Sequence, residues 1–296
     1  MSNHEYRIRR PQKRKFSILP FLLTLTIITI IAYPFIEARI VTIDEKTLVY
    51  ENLELNLKNL RIVFASDFHQ GTFFSKNKVD NIIGKINGMS ADIVILGGDY
   101  ANDYKESIDF FNNLPKISAR LGVFVIPGED DYSPDDPNSI ELSKSIKNYG
   151  AIPLFNSVES VKRGNSYVYI AGVEDGTYSI ADVKGVAKQV KKEDFVIFAG
   201  HSPECLSDMI ASTDINNQNH WFDLALFGHT HGGQFHIGNW MPLSNLSDDI
   251  DPRYLSGWNE ENRAHILTSN GLGTKGMPVR LFAPPQIHLI TLKNRN

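Results

Sequence analysis

The sequence predicts an α/β fold, and three observations carry that expectation. Short apolar runs recur at 61–66, 92–96, 122–127, 167–171, 195–199 and 224–227. Longer stretches with apolar residues at helical spacing separate several of them, the alternation expected where helices pack on a sheet. The runs lead into Asp67 and His69, Gly98-Asp99, Gly128-Glu129-Asp130-Asp131, Gly172, Gly200-His201, and Gly228-His229-Thr230-His231. Ligands of open α/β sheets gather where loops leave the carboxyl ends of strands, so five of these six ends deliver carboxylates or imidazoles to one rim.

The chain begins with a basic segment, in which Arg7, Arg9, Arg10, Lys13, Arg14 and Lys15 face one acid, Glu5. Residues 16–36 carry no charge and are apolar on all sides, with Pro20 and Pro34 near the two ends. Roughly twenty such residues cross a bilayer core as a helix. A basic flank before the span predicts a cytoplasmic tail at 1–15, a single-pass transmembrane anchor at 16–36 and an extracytoplasmic domain at 45–296. A cleaved signal peptide is the alternative, with Ala38 as the cut site and Ile36 fitting it poorly. A buried or peripheral helix is a third reading.

Beyond that segment, residues 40–60 read as a strand pair: Leu48-Val49-Tyr50 is a short apolar run, and 53–57 alternates leucine with polar residues. A helix is expected over 76–90, where Val79, Ile82, Ile83 and Ile86 share one face. Another is expected around 108–114. The composition, 42% hydrophobic and 22% charged over 296 residues, allows a substantial core. A net charge of -4 gives no reason to expect nucleic acid as a partner. The single cysteine, Cys205, excludes an intramolecular disulfide and a cysteine zinc finger.

The chemistry follows from the strand ends. In an extended backbone, residues i and i+2 point to the same side, so His229 with His231, and Asp67 with His69, can each serve one place. Imidazole and carboxylate without thiolate suit manganese, zinc or iron(II), while calcium prefers all-oxygen ligands. More candidate ligands than one tetrahedral ion needs point to two ions sharing a carboxylate. Such a pair orients a hydroxide nucleophile for phosphoryl displacement, so the expected reaction is hydrolysis of a phosphoester.

These residues resemble the calcineurin-like metallophosphoesterases, whose blocks are Asp-x-His, Gly-Asp, Gly-Asn-His followed by an acid, an isolated His and Gly-His-x-His. The resemblance runs from about residue 61 to 292. The Gly232-Gly233-Gln234 stretch, and the end from Gly271-Leu272-Gly273 through Arg280-Leu281 to Pro284-Pro285, look like a membrane-associated bacterial branch. The resemblance implies a two-sheet β-sandwich flanked by helices in four layers. It also implies that Asp67, His69 and His231 bind a first metal, that His201 and His229 bind a second, and that Asp99 bridges both.

Here the sequence departs from the pattern it resembles: Glu129 stands for the family asparagine as a metal ligand, and Asp130 for the histidine thought to act on the leaving group. A carboxylate can bind metal, but an ionised Asp130 would repel a phosphate that an imidazolium attracts. Three functions are therefore expected to compete. The first is a membrane-anchored dinuclear phosphohydrolase acting on a phosphoester, lipid-linked in keeping with the anchor. The second is a UDP-diacylglucosamine pyrophosphatase, which conflicts with the orientation expected from the basic tail. The third is a metal-binding, catalytically impaired relative with a binding role. Asp130-Asp131 and Asp135-Asp136 read as solvated turns, and His220, His236, His265 and His288 as packing or hydrogen-bonding residues. Asn245-Leu246-Ser247 matches a glycosylation sequon that nothing else supports.

Overall fold

The computed structural model describes residues 18–137, 139–177, 179–235 and 250–295. The basic tail, His236 and the Asn245 sequon lie outside the described residues. A helix, α1 (Leu19–Glu37), comes first, with Pro20 in its first turn and Pro34 in its last. It is long and apolar enough to cross a membrane, and almost all of it is exposed.

The domain that follows is built on two six-stranded mixed sheets. The first contains β1 (Thr42–Tyr50), β2 (Arg61–Ala65), β3 (Ile93–Gly97), β4 (Gly122–Ile126), β5 (Ile152–Pro153) and a strand from the chain's end, β12 (Gln286–Asn294). Their order is β1-β12-β2-β3-β4-β5. The second contains β6 (Ser157–Arg163), β7 (Ser166–Gly172), β8 (Phe195–Ala199), β9 (Leu224–Phe227), β10 (Gly257–Glu261) and β11 (Ala264–Thr268), ordered β10-β11-β9-β8-β7-β6.

Period-two alternation decides which layer each side chain joins. On β2, Ile62 and Phe64 enter the core between the sheets, together with Ile95, Ile126, Ile197 and Leu226. Val63 and Ala65 point the other way, onto α2 (Lys76–Gly88) and α3 (Tyr104–Asn113), beside α4 (Ile140–Tyr149). Beyond the second sheet, Ala171, Val196 and Phe198 pack against α5 (Val183–Ala187) and α6 (Leu206–Ala211). Three apolar cores thus separate four layers, and strands buried on both faces read as continuous apolar runs for that reason.

Two local expectations are corrected. The alternating stretch at 53–57 is no strand: Leu55–Leu57 is a 3-10 turn, and Leu53, just before it, and Leu57 enter the core between the sheets while Leu55 faces solvent. Alternation of leucines satisfied a turn as well as a strand. Asp131 is not a solvated turn residue but is fully buried. Its carboxylate accepts from the backbone N–H groups of Asp99, Tyr100 and Gly128 and from the Ser107 hydroxyl, tying the loop after β4 to the loop after β3.

Candidate metal centre

The carboxyl ends of β2, β3, β4, β8 and β9 converge, and their loops interlock through the backbone. Asp67 N–H donates to Gly98 O, His69 N–H to Asp99 O, and Gly228 N–H to His201 O. The ligand pairs do not converge by strand alternation, as the i, i+2 reading expected. Each strand ends before its pair, and the backbone turns left-handed: φ is 54° at Asp67, 43° at His69, 53° at Asp99, 68° at His229 and 51° at His231. Non-glycine residues rarely hold such angles, each costing on the order of 1–3 kcal/mol, and they persist where surrounding structure fixes them. Gly98, at φ 89°, makes room as well, since a Cβ there would lie 2.6 Å from His201 Nδ1.

The side chains meet at Asp99. Its Oδ2 is 3.4 Å from His69 Nε2 and 3.3 Å from His201 Nε2, one residue from each expected half of the centre. On one side His69 Nε2 is 3.1 Å from His231 Nε2, which is 3.8 Å from Asp67 Oδ1. On the other, the His201 and His229 rings meet edge-on at 5.3 Å, and His229 Nδ1 is 3.9 Å from Glu129 Oε2. All eight predicted site residues, Asp67, His69, Asp99, Glu129, Asp130, His201, His229 and His231, are therefore brought into one neighbourhood. Asp67, His69, Asp99, His201 and His231 are buried, whereas Glu129, Asp130 and His229 remain partly open.

The donor set fits divalent cations. Asp67, His69 and His231 form one group whose ligand atoms lie within 4.8 Å of one another, and Asp67, Asp99 and His201 form a second. Ligands bound at about 2.0–2.1 Å in a tetrahedron stand roughly 3.3 Å apart, close to the spacing around Asp99. Among the described residues, Asp67 Oδ2, His201 Nε2 and His229 Nδ1 are buried with no hydrogen-bond partner. Polar atoms left so are costly unless something satisfies them. Asp99 holds its charge although burial opposes it, because His201 and then His69 keep its pKa well below the usual carboxylate range. His201 in turn donates from Nδ1 to Gly97 O, which leaves Nε2 free to face the centre.

Two cationic residues at the centre were missed by sequence reasoning. Lys275 ion-pairs with Glu129, and its Nζ stands 3.3 Å from Asp130 Oδ2. Arg280 is fully buried, donates to the carbonyls of Gly273, Ala283 and His231, and sits 3.2 Å from His231 Nδ1. Burial lowers its pKa to about 10. Asp130, expected to stand for the residue that acts on the leaving group, has its Oδ2 3.4 Å from His69 Nδ1. Burial, and then the charge of Asp99, raises its pKa. Away from the centre, His288 bridges Asp44 and Ser269, and His265 stacks edge-on with Tyr50, the packing roles expected for them.

A family model described as calcineurin-like phosphoesterase matches residues 60–233, more than half of the chain. The chain is 28% identical over 251 residues to an uncharacterized metallophosphoesterase of Helicobacter pylori, covering 81% of this chain and 61% of that one. It therefore spans about three fifths of that relative's length. It is 25% identical to an uncharacterized metallophosphoesterase of Aquifex aeolicus, covering 89% and 96% of the two chains. It is also 26% identical to a transmembrane protein with metallophosphoesterase domain of Danio rerio, covering 82% and 55%.

Proposed function

The chain belongs to the calcineurin-like phosphoesterases, hydrolases of phosphoester bonds, and from that premise we propose that it is a membrane-anchored phosphohydrolase working with two divalent ions of manganese, zinc or iron. Residues 45–296 would form the catalytic domain and 16–36 the anchor, with the domain extracytoplasmic because the basic flank precedes the span. The observation that carries the dinuclear reading is Asp99 Oδ2, almost equally distant from His69 and His201.

Asp67, His69 and His231 would hold one ion, His201, His229 and Glu129 the other, and Asp99 both. When bound, such a pair supplies a nucleophile from water at neutral pH and offsets charge on the phosphoryl oxygens. Asp130 Oδ2 lies 3.4 Å from His69 Nδ1, beside the outer nitrogen that a carboxylate commonly orients on a ligating imidazole. Lys275 answers the charge problem set by Glu129 and Asp130: its ammonium faces both carboxylates and leaves the approach to the centre less repulsive to an anion. The partner is a phosphoester substrate, and the anchor favours one that is lipid-linked.

The competing reading, a metal-binding relative without turnover, separates from this one in an assay of the full-length protein with manganese on p-nitrophenyl phosphate and bis-p-nitrophenyl phosphate. Wild type is expected to turn over at least one ester at a rate within about tenfold of the Glu129→Asn, Asp130→His double variant. Turnover by the double variant alone would leave wild type a binding protein.

A further inference from the structure

We propose that the face carrying the metal centre rests on the lipid headgroup layer, so that the substrate is the phosphoester headgroup of a membrane lipid taken directly from the bilayer. This rests on the phosphohydrolase and anchor readings above. The link between centre and anchor is a single residue. The guanidinium of Arg280 lies against His231, while its backbone N–H donates to Pro34 O at 3.0 Å, in the last turn of α1. Three residues on, Ala283 N–H donates to Glu37 Oε1 at 2.8 Å. The 19 residues of α1 reach about 28 Å as a helix, close to the thickness of a hydrocarbon core. Its last turn therefore marks where the headgroups begin, and the centre stands one arginine away.

The surface around that point is built for such a layer. The short stretch from Lys275 at the centre to Ala283 at the helix end exposes Met277 and Phe282, 65% and 67% accessible. Phe282 holds φ 58°, a costly angle for an aromatic residue. The strained backbone presents the ring outward, where none of the described residues covers it. Ile40 and Phe73 add exposed apolar side chains nearby, Ile40 just past the helix and Phe73 through the Lys78 ammonium that its carbonyl accepts. Arg39, Lys78 and Lys85 line a groove of about 550 Å³ together with Val41, Phe74 and Ile82. Apolar side chains that enter the acyl boundary beside cations that attract anionic headgroups make a membrane-resting surface, and it is continuous with the anchor.

A lipid phosphate held in that layer reaches the centre without leaving the bilayer. The test uses the full chain in vesicles of phosphatidylcholine and phosphatidylglycerol, with a nitroxide on Phe282→Cys in a Cys205→Ser background. Glu159→Cys, on exposed β6, is the aqueous control. The label at 282 is expected to relax with oxygen, which concentrates in lipid, and the label at 159 with a water-soluble nickel chelate. Nickel access at 282 equal to that at 159, or exclusion of both agents as a second protein copy covers the site, overturns the placement whatever the activity. In a parallel assay, phosphatidic acid and phosphatidylglycerol are diluted into phosphatidylcholine vesicles at constant bulk lipid. Turnover of one of them is expected to follow its surface mole fraction. Hydrolysis of p-nitrophenyl phosphate alone overturns the lipid substrate while keeping the phosphohydrolase. Hydrolysis of no ester at all removes the phosphohydrolase reading, and the lipid substrate with it, leaving the label to decide the placement.

Discussion

The side of the centre around His69 and His231 and the side around His201 and His229 both start from strands that stop before their ligands, with left-handed backbone at His69, His231 and His229, yet they are finished differently. On the first side Asp67, His69 and His231 are buried, Arg280 backs His231, and Asp130 flanks His69. On the second, His201 is fixed by Gly97 O, but His229 and Glu129 stay partly open and Glu129 is paired with Lys275. Supporting contacts fix ligand geometry, so the first side is preassembled and the second is adjustable. Of the two departures from the family pattern, Glu129 falls on the adjustable side and Asp130 beside His69 on the preassembled one.

The residue common to both sides tests the comparison most severely. Asp99→Ala is expected to lower turnover by on the order of 10³-fold, as loss of a central electrostatic contact does, and to reduce metal content on both sides. If only one ion is lost, Asp99 belongs to a single side.

Lys275→Met separates the two sides. Without the ammonium, Glu129 and Asp130 are uncompensated, so manganese should bind the second position more tightly while inorganic phosphate inhibits roughly 10- to 100-fold more weakly, the worth of one charge-assisted contact. Lys275→Arg should restore much of the phosphate effect. Unchanged phosphate inhibition in Lys275→Met would mean that the lysine only fastens its loop.

A smaller effect is expected far from the centre. Burial raises the Asp223 carboxyl to about 6, while its Oδ2 accepts from Val196 N–H at 2.9 Å. The folded state therefore holds this proton more tightly than the unfolded state does. Stability from this group is full below the ordinary carboxylate range and declines as pH rises toward and through 6. Asp223→Asn keeps an acceptor for Val196 and is expected to raise Tm at pH 8 by about 2–4 °C, the gain vanishing near pH 4. A gain independent of pH would show that ionisation of Asp223 is not the cause.

Much of this arrangement was legible because it is carried by local patterns. Strands buried on both faces, such as β8 and β9, must be continuously apolar, and the ligands follow them directly, so Asp67, His69, Asp99, His201, His229 and His231 could be named from their positions after the runs. The backbone that aims them could not, because left-handed φ at a histidine or aspartate leaves no mark in composition. Leucine alternation at 53–57 fitted a turn as well as a strand. Lys275 and Arg280 were hidden for a different reason: their partners Glu129 and His231 are distant in sequence, and a lone basic residue in a loop carries no period. Arg280 lay within the family-like tail, but only the fold shows that it touches both His231 and Pro34.

The dinuclear centre is tested most directly by counting ions. Elemental analysis of the full-length protein equilibrated with manganese is expected to find two ions per chain, falling to one in His201→Ala. One ion or none in the wild-type protein would contradict a centre shared across Asp99.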